Sequence, residues 1–174
     1  IAKGYAVDLA AKVLRAQGVR SALANLSGST FYAIGRPPDE VAWRIAIAHP
    51  RAEGEVVGTV LIRDEALATS SDGEQFFIHE GVRYGHIIDP RTGYPVSNGI
   101  VSVTVVAPTG TEADALATAI FVLGLEEGFA ILGKHHDVYA AVVRDDGEGR
   151  LGIEVSEGLR ERFQSAEPGH VRYR

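Results

Sequence analysis

The run His86-Ile87-Ile88-Asp89-Pro90-Arg91-Thr92-Gly93-Tyr94-Pro95 constrains the fold of this chain more than any other segment. Pro90 restricts Asp89 to extended backbone, and Thr-Gly followed by Tyr-Pro turns the chain again within a few residues. The strand-like run Arg83 to Ile88 therefore has to end abruptly, with His86 and Asp89 where a strand gives way to a loop and side chains can reach a ligand. The same residues also fit a plain hairpin corner in which the aspartate caps its own turn.

Elsewhere the pattern is one of short β-branched runs cut by turns. Apolar residues at helical spacing from Tyr5 to Gln17 predict a helix with Lys3 and Gly4 at its entrance and Gly18 as its left-handed stop. Strands are expected at Val19 to Leu26, Phe31 to Ile34, Ala42 to Ala48 and Val56 to Ile62, with a hairpin of Gln75 to His79 and Val82 to Ile88 across Glu80-Gly81. Ile100 to Val106 reads as a further strand, followed by a helix from Thr111 to about Leu123 and another from Glu126 to Leu132. In the first of these, Ala115, Leu116, Ala119, Ile120 and Leu123 are the expected buried stripe. Val138 to Val143 and Leu151 to Val155, joined by Arg144-Asp145-Asp146-Gly147, and a short helix near Glu157 to Phe163 complete the chain. Many antiparallel strands with a few packed helices predict an α+β fold with a mostly antiparallel or mixed sheet.

Composition narrows the partners. The 174 residues can bury a core in one domain. A net charge of −6 with no cluster of Lys or Arg argues against nucleic acid. The absence of cysteine removes disulfides, thiolate metal sites and thiol nucleophiles from these residues. No apolar run approaches the roughly 18 residues of a membrane span. The chain lacks methionine and starts at Ile1 inside what looks like a motif, so it reads as a piece of a longer protein.

Two constellations carry chemistry. Asp114 and Thr118 are one turn apart on the expected helix, so a carboxylate and a hydroxyl project from one face as half of an oxygen site for Mg2+ or Ca2+. A Thr-x-x-Asp start is equally an ordinary helix cap, with Thr111 as N-cap and Asp114 at N3. Of six histidines, only His86 sits in the turn cluster, and an imidazole there suits a general base.

Five segments in order, AKGYAVD from Ala2, NLSGS at Asn25 to Ser29, ATSSDGEQFF at Ala68 to Phe77, HIIDPRTGYP, and EADALATAIFVLG at Glu112 to Gly124, give the chain its resemblance to the ApbE family of FAD:protein FMN transferases. The resemblance implies an ApbE-like fold of which residues 1–174 are the C-terminal portion, with the N-terminal half absent. It implies cleavage of FAD at its diphosphate, release of AMP, and attachment of FMN to a Thr or Ser hydroxyl of an acceptor protein. Asp114 and Thr118 would hold Mg2+, with a backbone oxygen upstream of the AKG motif, and Asp114 and His86 would be the catalytic pair. Lys3, Asp8, Ser70, Glu74, His86, Asp89 and Thr92 would contact the flavin nucleotide. Ser71 and Gly73 depart from the family's usual Gly and aromatic, and the NLSGS loop also departs from the common pattern. Hydrolysis of FAD to FMN and AMP would need the same residues; flavin binding without turnover is a further reading, and the chain in isolation is expected to be inactive because it is truncated. The resemblance further implies service to a membrane redox complex on the outer side of the bacterial cytoplasmic membrane. An exposed apolar face is expected, and with it association with the absent half or a homodimer.

Overall fold

The structure is a computed structural model and describes residues 1–73, 75–146 and 150–174. In chain order the elements are α1 (Ala2–Ala16), β1 (Ala22–Leu26), β2 (Thr30–Ile34), β3 (Trp43–Ala48), β4 (Val56–Ile62), β5 (Ala66–Ser71), β6 (Phe76–His79), β7 (Val82–Gly85), β8 (Ile88–Asp89) and β9 (Tyr94–Pro95). There follow β10 (Ile100–Ala107), α2 (Gly110–Leu123), α3 (Leu125–Leu132), β11 (Tyr139–Asp145), β12 (Leu151–Val155), β13 (Phe163–Ser165) and β14 (Val171–Tyr173). Among the described residues no helix is long and apolar enough to cross a membrane.

A seven-stranded sheet in the order β1-β2-β5-β10-β11-β12-β14 forms the middle layer. All its neighbours are antiparallel except β12 and β14, which makes the sheet mixed. Helices α1, α2 and α3 cover one face and a small sheet, β13-β4-β3, covers the other, so the fold is α+β as expected. Strand β10 is buried along its whole length because both its faces are covered. Val103, Val105 and Ala107 join the helix-side core, whereas Val101 and Val106 join the core beneath the small sheet. A β-bulge between Ile100 and Ser102 opposite β11 reverses the alternation there, which is how Ile100 shares a face with Val103. In β3, by contrast, buried Ile45 and Ile47 alternate with exposed neighbours, as a strand with one covered face should.

Several expectations are corrected. Strand β5, which lies between β2 and β10 inside the sheet, is not among the expected strands; its small residues Ala66 and Ala68 face α2 and let the helix approach. Helix α2 starts one residue early, with Thr109 as N-cap in place of Thr111: the Thr109 hydroxyl accepts from the Glu112 N–H at 3.2 Å. Its buried residues are Gly110, Ala113, Ala117, Ile120 and Phe121; of the residues expected, Ile120 is among them and Leu116 packs partly buried against the same core. The run expected as one strand to Ile88 stops at Gly85, and β8 pairs instead with β9 across the proline turn. Glu80 and Gly81, both at positive φ, make the expected tight turn between β6 and β7. The expected helix from Glu157 to Phe163 is a single 3-10 turn at Glu157–Leu159, after which Phe163 enters β13 and pairs with β4. Gly147 of the expected turn lies outside the described residues.

Candidate functional site

The site begins where α1 crosses α2. Gly4 and Gly110 meet at the crossing: a Cβ on Gly4 would stand 2.1 Å from the Gly110 carbonyl oxygen, and one on Gly110 would stand 2.5 Å from Val7 Cγ2. Only glycine admits this approach. Once it is made, each helix caps the other. The Asp114 carboxylate on α2 accepts from the Gly4 N–H at 2.9 Å and from the Ile1 nitrogen at 2.8 Å, through Oδ2 in both cases. The Asp8 carboxylate on α1 accepts from the N–H groups of Gly110 and Thr111 at 2.6 and 2.9 Å and from the Thr111 hydroxyl at 2.6 Å. Both helix N-termini thereby gain an anion for their first-turn donors.

This crossing places Lys3, Asp114 and Thr118 on the wall of a cleft of about 770 Å³. Ser70 at the end of β5 and His86 beyond β7 line the same cleft. The Ser70 and Thr118 hydroxyls are 2.9 Å apart, and Lys3 Nζ donates to the Ser29 hydroxyl at 2.5 Å in the turn between β1 and β2. Burial pushes the Asp114 carboxyl up, but in the 174-residue chain the hydrogen bond and charge of the Ile1 amino group and the Gly4 N–H, helped by the Lys3 charge, outweigh it and hold the group below its ordinary value. Among the described residues the Asp114 Oδ1 makes no hydrogen bond, both contacts being taken by Oδ2. His86 hydrogen-bonds the Gln75 carbonyl through Nδ1 at 3.2 Å. A carbonyl only accepts, so this contact puts the proton of the neutral ring on Nδ1 and leaves Nε2 bare.

Of the residues singled out in the sequence, five therefore share one cleft. Asp8, Asp89 and Thr92 do not line it. Asp8 is the cap just described. Asp89 accepts from the Arg91 backbone N–H at 2.9 Å and holds the Arg91 guanidinium with both oxygens, which keeps its carboxyl below the ordinary value. Arg91 also donates to the Val122 carbonyl at 3.3 Å, so the turn is fastened to α2. The Thr92 hydroxyl accepts from the Tyr94 N–H at 3.2 Å within the same turn. Glu74 lies outside the described residues.

The sequence reading passed over the opposite wall, made by the loop after β3 and by the β6-β7 hairpin. His49 Nδ1 accepts from the N–H groups of Arg51 and Ala52 and closes that loop. Arg51 grips both oxygens of Asp72 at 2.7 and 3.0 Å and lies 3.5 Å from Asp145. Gly73 seats the loop: a Cβ there would meet the Pro50 carbonyl oxygen at 2.9 Å. The available signal was the segment His49-Pro-Arg-Ala-Glu-Gly-Glu55 between two expected strands, a charged connection of the kind that carries function.

The donors at Asp114 fit a hard divalent cation. One ionised carboxylate with a free oxygen and a hydroxyl one turn on make an all-oxygen set, and Mg2+ commonly completes such a set with water and substrate phosphate. Among the described residues no three His, Cys, Asp or Glu side chains gather, so Asp114 would be the charged ligand from this part of the chain.

The sequence profile of the ApbE family matches residues 1–143. A Treponema pallidum protein named FAD:protein FMN transferase is 38% identical over 169 residues, covering 92% of this chain and 46% of that protein. A Vibrio cholerae protein of the same name is 40% identical over 149 residues, covering 84% and 44% respectively. The crystal structure of the ApbE protein from Thermotoga maritima superposes with a TM-score of 0.80 at 34% identity, covering 95% of this chain and 52% of that one. The chain spans about half the length of the curated relatives it matches. With the family profile covering most of its length and the fold superposing throughout, the chain belongs to the ApbE family.

Proposed function

We propose that the protein containing this chain transfers FMN from FAD to a Thr or Ser hydroxyl of an acceptor protein and releases AMP. The observation that carries the reading is the meeting of Lys3, Ser70, His86, Asp114 and Thr118 in one cleft of a chain whose relatives are named FAD:protein FMN transferase. The acceptor hydroxyl oxygen attacks the phosphorus on the FMN side of the diphosphate. A P–O ester bond forms to the acceptor, the P–O bond to AMP breaks, and the hydroxyl proton passes to His86 Nε2.

Lys3, on the first turn of α1, supplies positive charge for the diphosphate, and its bond to Ser29 fixes where that charge sits. Ser70 holds the Thr118 hydroxyl in place. Asp114 and Thr118 would hold Mg2+, which when bound neutralises diphosphate charge and orients the bond to be broken. The acceptor in this reading is a subunit of a membrane redox complex. Incubation of the full-length protein with FAD, Mg2+ and an acceptor domain should give flavin fluorescence on the acceptor that survives denaturing electrophoresis. Free FMN and AMP with an unlabelled acceptor would make the protein a hydrolase instead.

A further inference from the structure

Two arginines converge on Asp72, and only one of them finds its carboxylate. Arg51 takes both oxygens. Arg83, on β7, is brought to the same place because the hairpin packs hard against Asp72: a Cβ on Gly85 would lie 2.9 Å from the Asp72 Cβ. Yet it reaches only the Asp72 backbone carbonyl, at 3.5 Å, the outer limit of a hydrogen bond. No carboxylate forms an ion pair with Arg83 among the described residues. Its guanidinium instead lies 3.5 Å over the Phe76 ring, on the same face of the hairpin.

A ring beneath a guanidinium fixes its plane but does not use its edge, where the N–H donors are. Arg83 is half-buried, lines the cleft, and stands three residues before His86 on the same wall. In a chain of net charge −6, a pinned and partly dehydrated cation without a counter-ion among the described residues calls for an anion from outside. Arg51 cannot be that receptor, since Asp72 and Asp145 already hold it. The planar fork of an arginine matches paired phosphate oxygens.

We infer that Arg83 is a substrate-binding residue that takes the diphosphate oxygens of the dinucleotide at the His86 side of the cleft. The inference rests on the reading of the substrate as FAD. Arg83 would place the phosphorus under attack beside the imidazole that receives the proton, while Lys3 holds charge on the other wall.

The test uses the full-length protein and three ligands: FAD, riboflavin, which has no phosphate, and inorganic pyrophosphate. Arg83→Gln should weaken FAD and pyrophosphate roughly ten- to hundredfold and leave riboflavin unchanged. Arg83→Lys, which keeps the charge and loses the fork, should fall between wild type and R83Q. Equal weakening of riboflavin and FAD would overturn the inference, since Arg83 would then stack on the flavin or merely shape the hairpin. Unchanged pyrophosphate and FAD affinities would overturn it too. If R83Q does not fold, R83K decides: pyrophosphate weakened while riboflavin is kept supports the site, and loss of both alike rejects it. A wild-type protein that binds pyrophosphate but no FAD would sink the proposed function and leave the anion site standing, with R83Q as its test.

Discussion

At the scale of single residues, His86 and Asp114 do different work. The hydrogen bond from His86 Nδ1 to the Gln75 carbonyl sets both the direction of the ring and its free nitrogen. His86→Gln should therefore lower the transfer rate by roughly 10² to 10⁴. A variant that keeps the wild-type rate in single-turnover measurements would exclude His86 as the base. Asp114 has a structural role besides the proposed metal role, because its carboxylate caps α1. Asp114→Ala should abolish transfer and also cost about 0.5–2 kcal/mol of stability, metal or no metal. In the 174-residue chain, where the Ile1 amino group helps hold it, this carboxyl lies below its ordinary value, so the stabilisation it gives is complete above about pH 4 and drains away as pH falls through the lower folded-state value. The gap in melting temperature between wild type and Asp114→Asn should accordingly shrink as pH falls below the ordinary carboxylate range. A gap that stays constant with pH would mean that the charge on Asp114 does not matter to α1.

At the scale of elements, the site depends on how closely α1 and α2 approach. Gly4→Ala puts a Cβ 2.1 Å from a backbone oxygen, which the Gly110 peptide cannot evade without moving the helix. We expect a cost on the order of 1–3 kcal/mol and loss of FAD binding together, because Lys3 and Asp114 lie at the same crossing. A Gly4→Ala protein with wild-type stability by denaturant titration would contradict the packing. Sequence periodicity found both helices but could not find their crossing. Asp8 and Thr111 are 103 positions apart, and the bond between them makes Thr109 the N-cap and moves Asp114 out of the capping position that its spacing suggested. Strand β5 was hidden for a related reason. Ala66 and Ala68 carry little β propensity, and only contact with α2 and pairing on both sides make a strand of them. The strands that were legible, such as Val56 to Ile62 and Ile100 to Val106, owe it to β-branched residues that register burial directly.

At the scale of the molecule, five ordered motifs pointed to the family, and all five reach the cleft, the NLSGS segment through Gly28 and Ser29. The AKG segment brings Lys3, the segment at Ala68 brings Ser70, and EADALAT brings Asp114 and Thr118. The HIIDPRTGYP segment divides: His86 faces the cleft, whereas Asp89 and Thr92 build the turn that holds it against α2. The Arg51 and Arg83 wall escaped notice because ion pairing and ring stacking depend on partners distant in sequence. The chain also exposes Tyr5, Leu9 and Val13 at four-residue spacing on the outer face of α1. The 174-residue chain alone should therefore self-associate, and sedimentation showing a monomer at all concentrations would count against that surface.

The most direct test of the account is flavin transfer by the full-length protein with and without chelator. With FAD, Mg2+ and an acceptor domain, we expect a fluorescent acceptor band that EDTA abolishes and excess Mg2+ restores. A band of equal intensity in EDTA would contradict the metal at Asp114 and Thr118. The absence of any labelled acceptor, with FAD bound intact, would contradict the transferase itself.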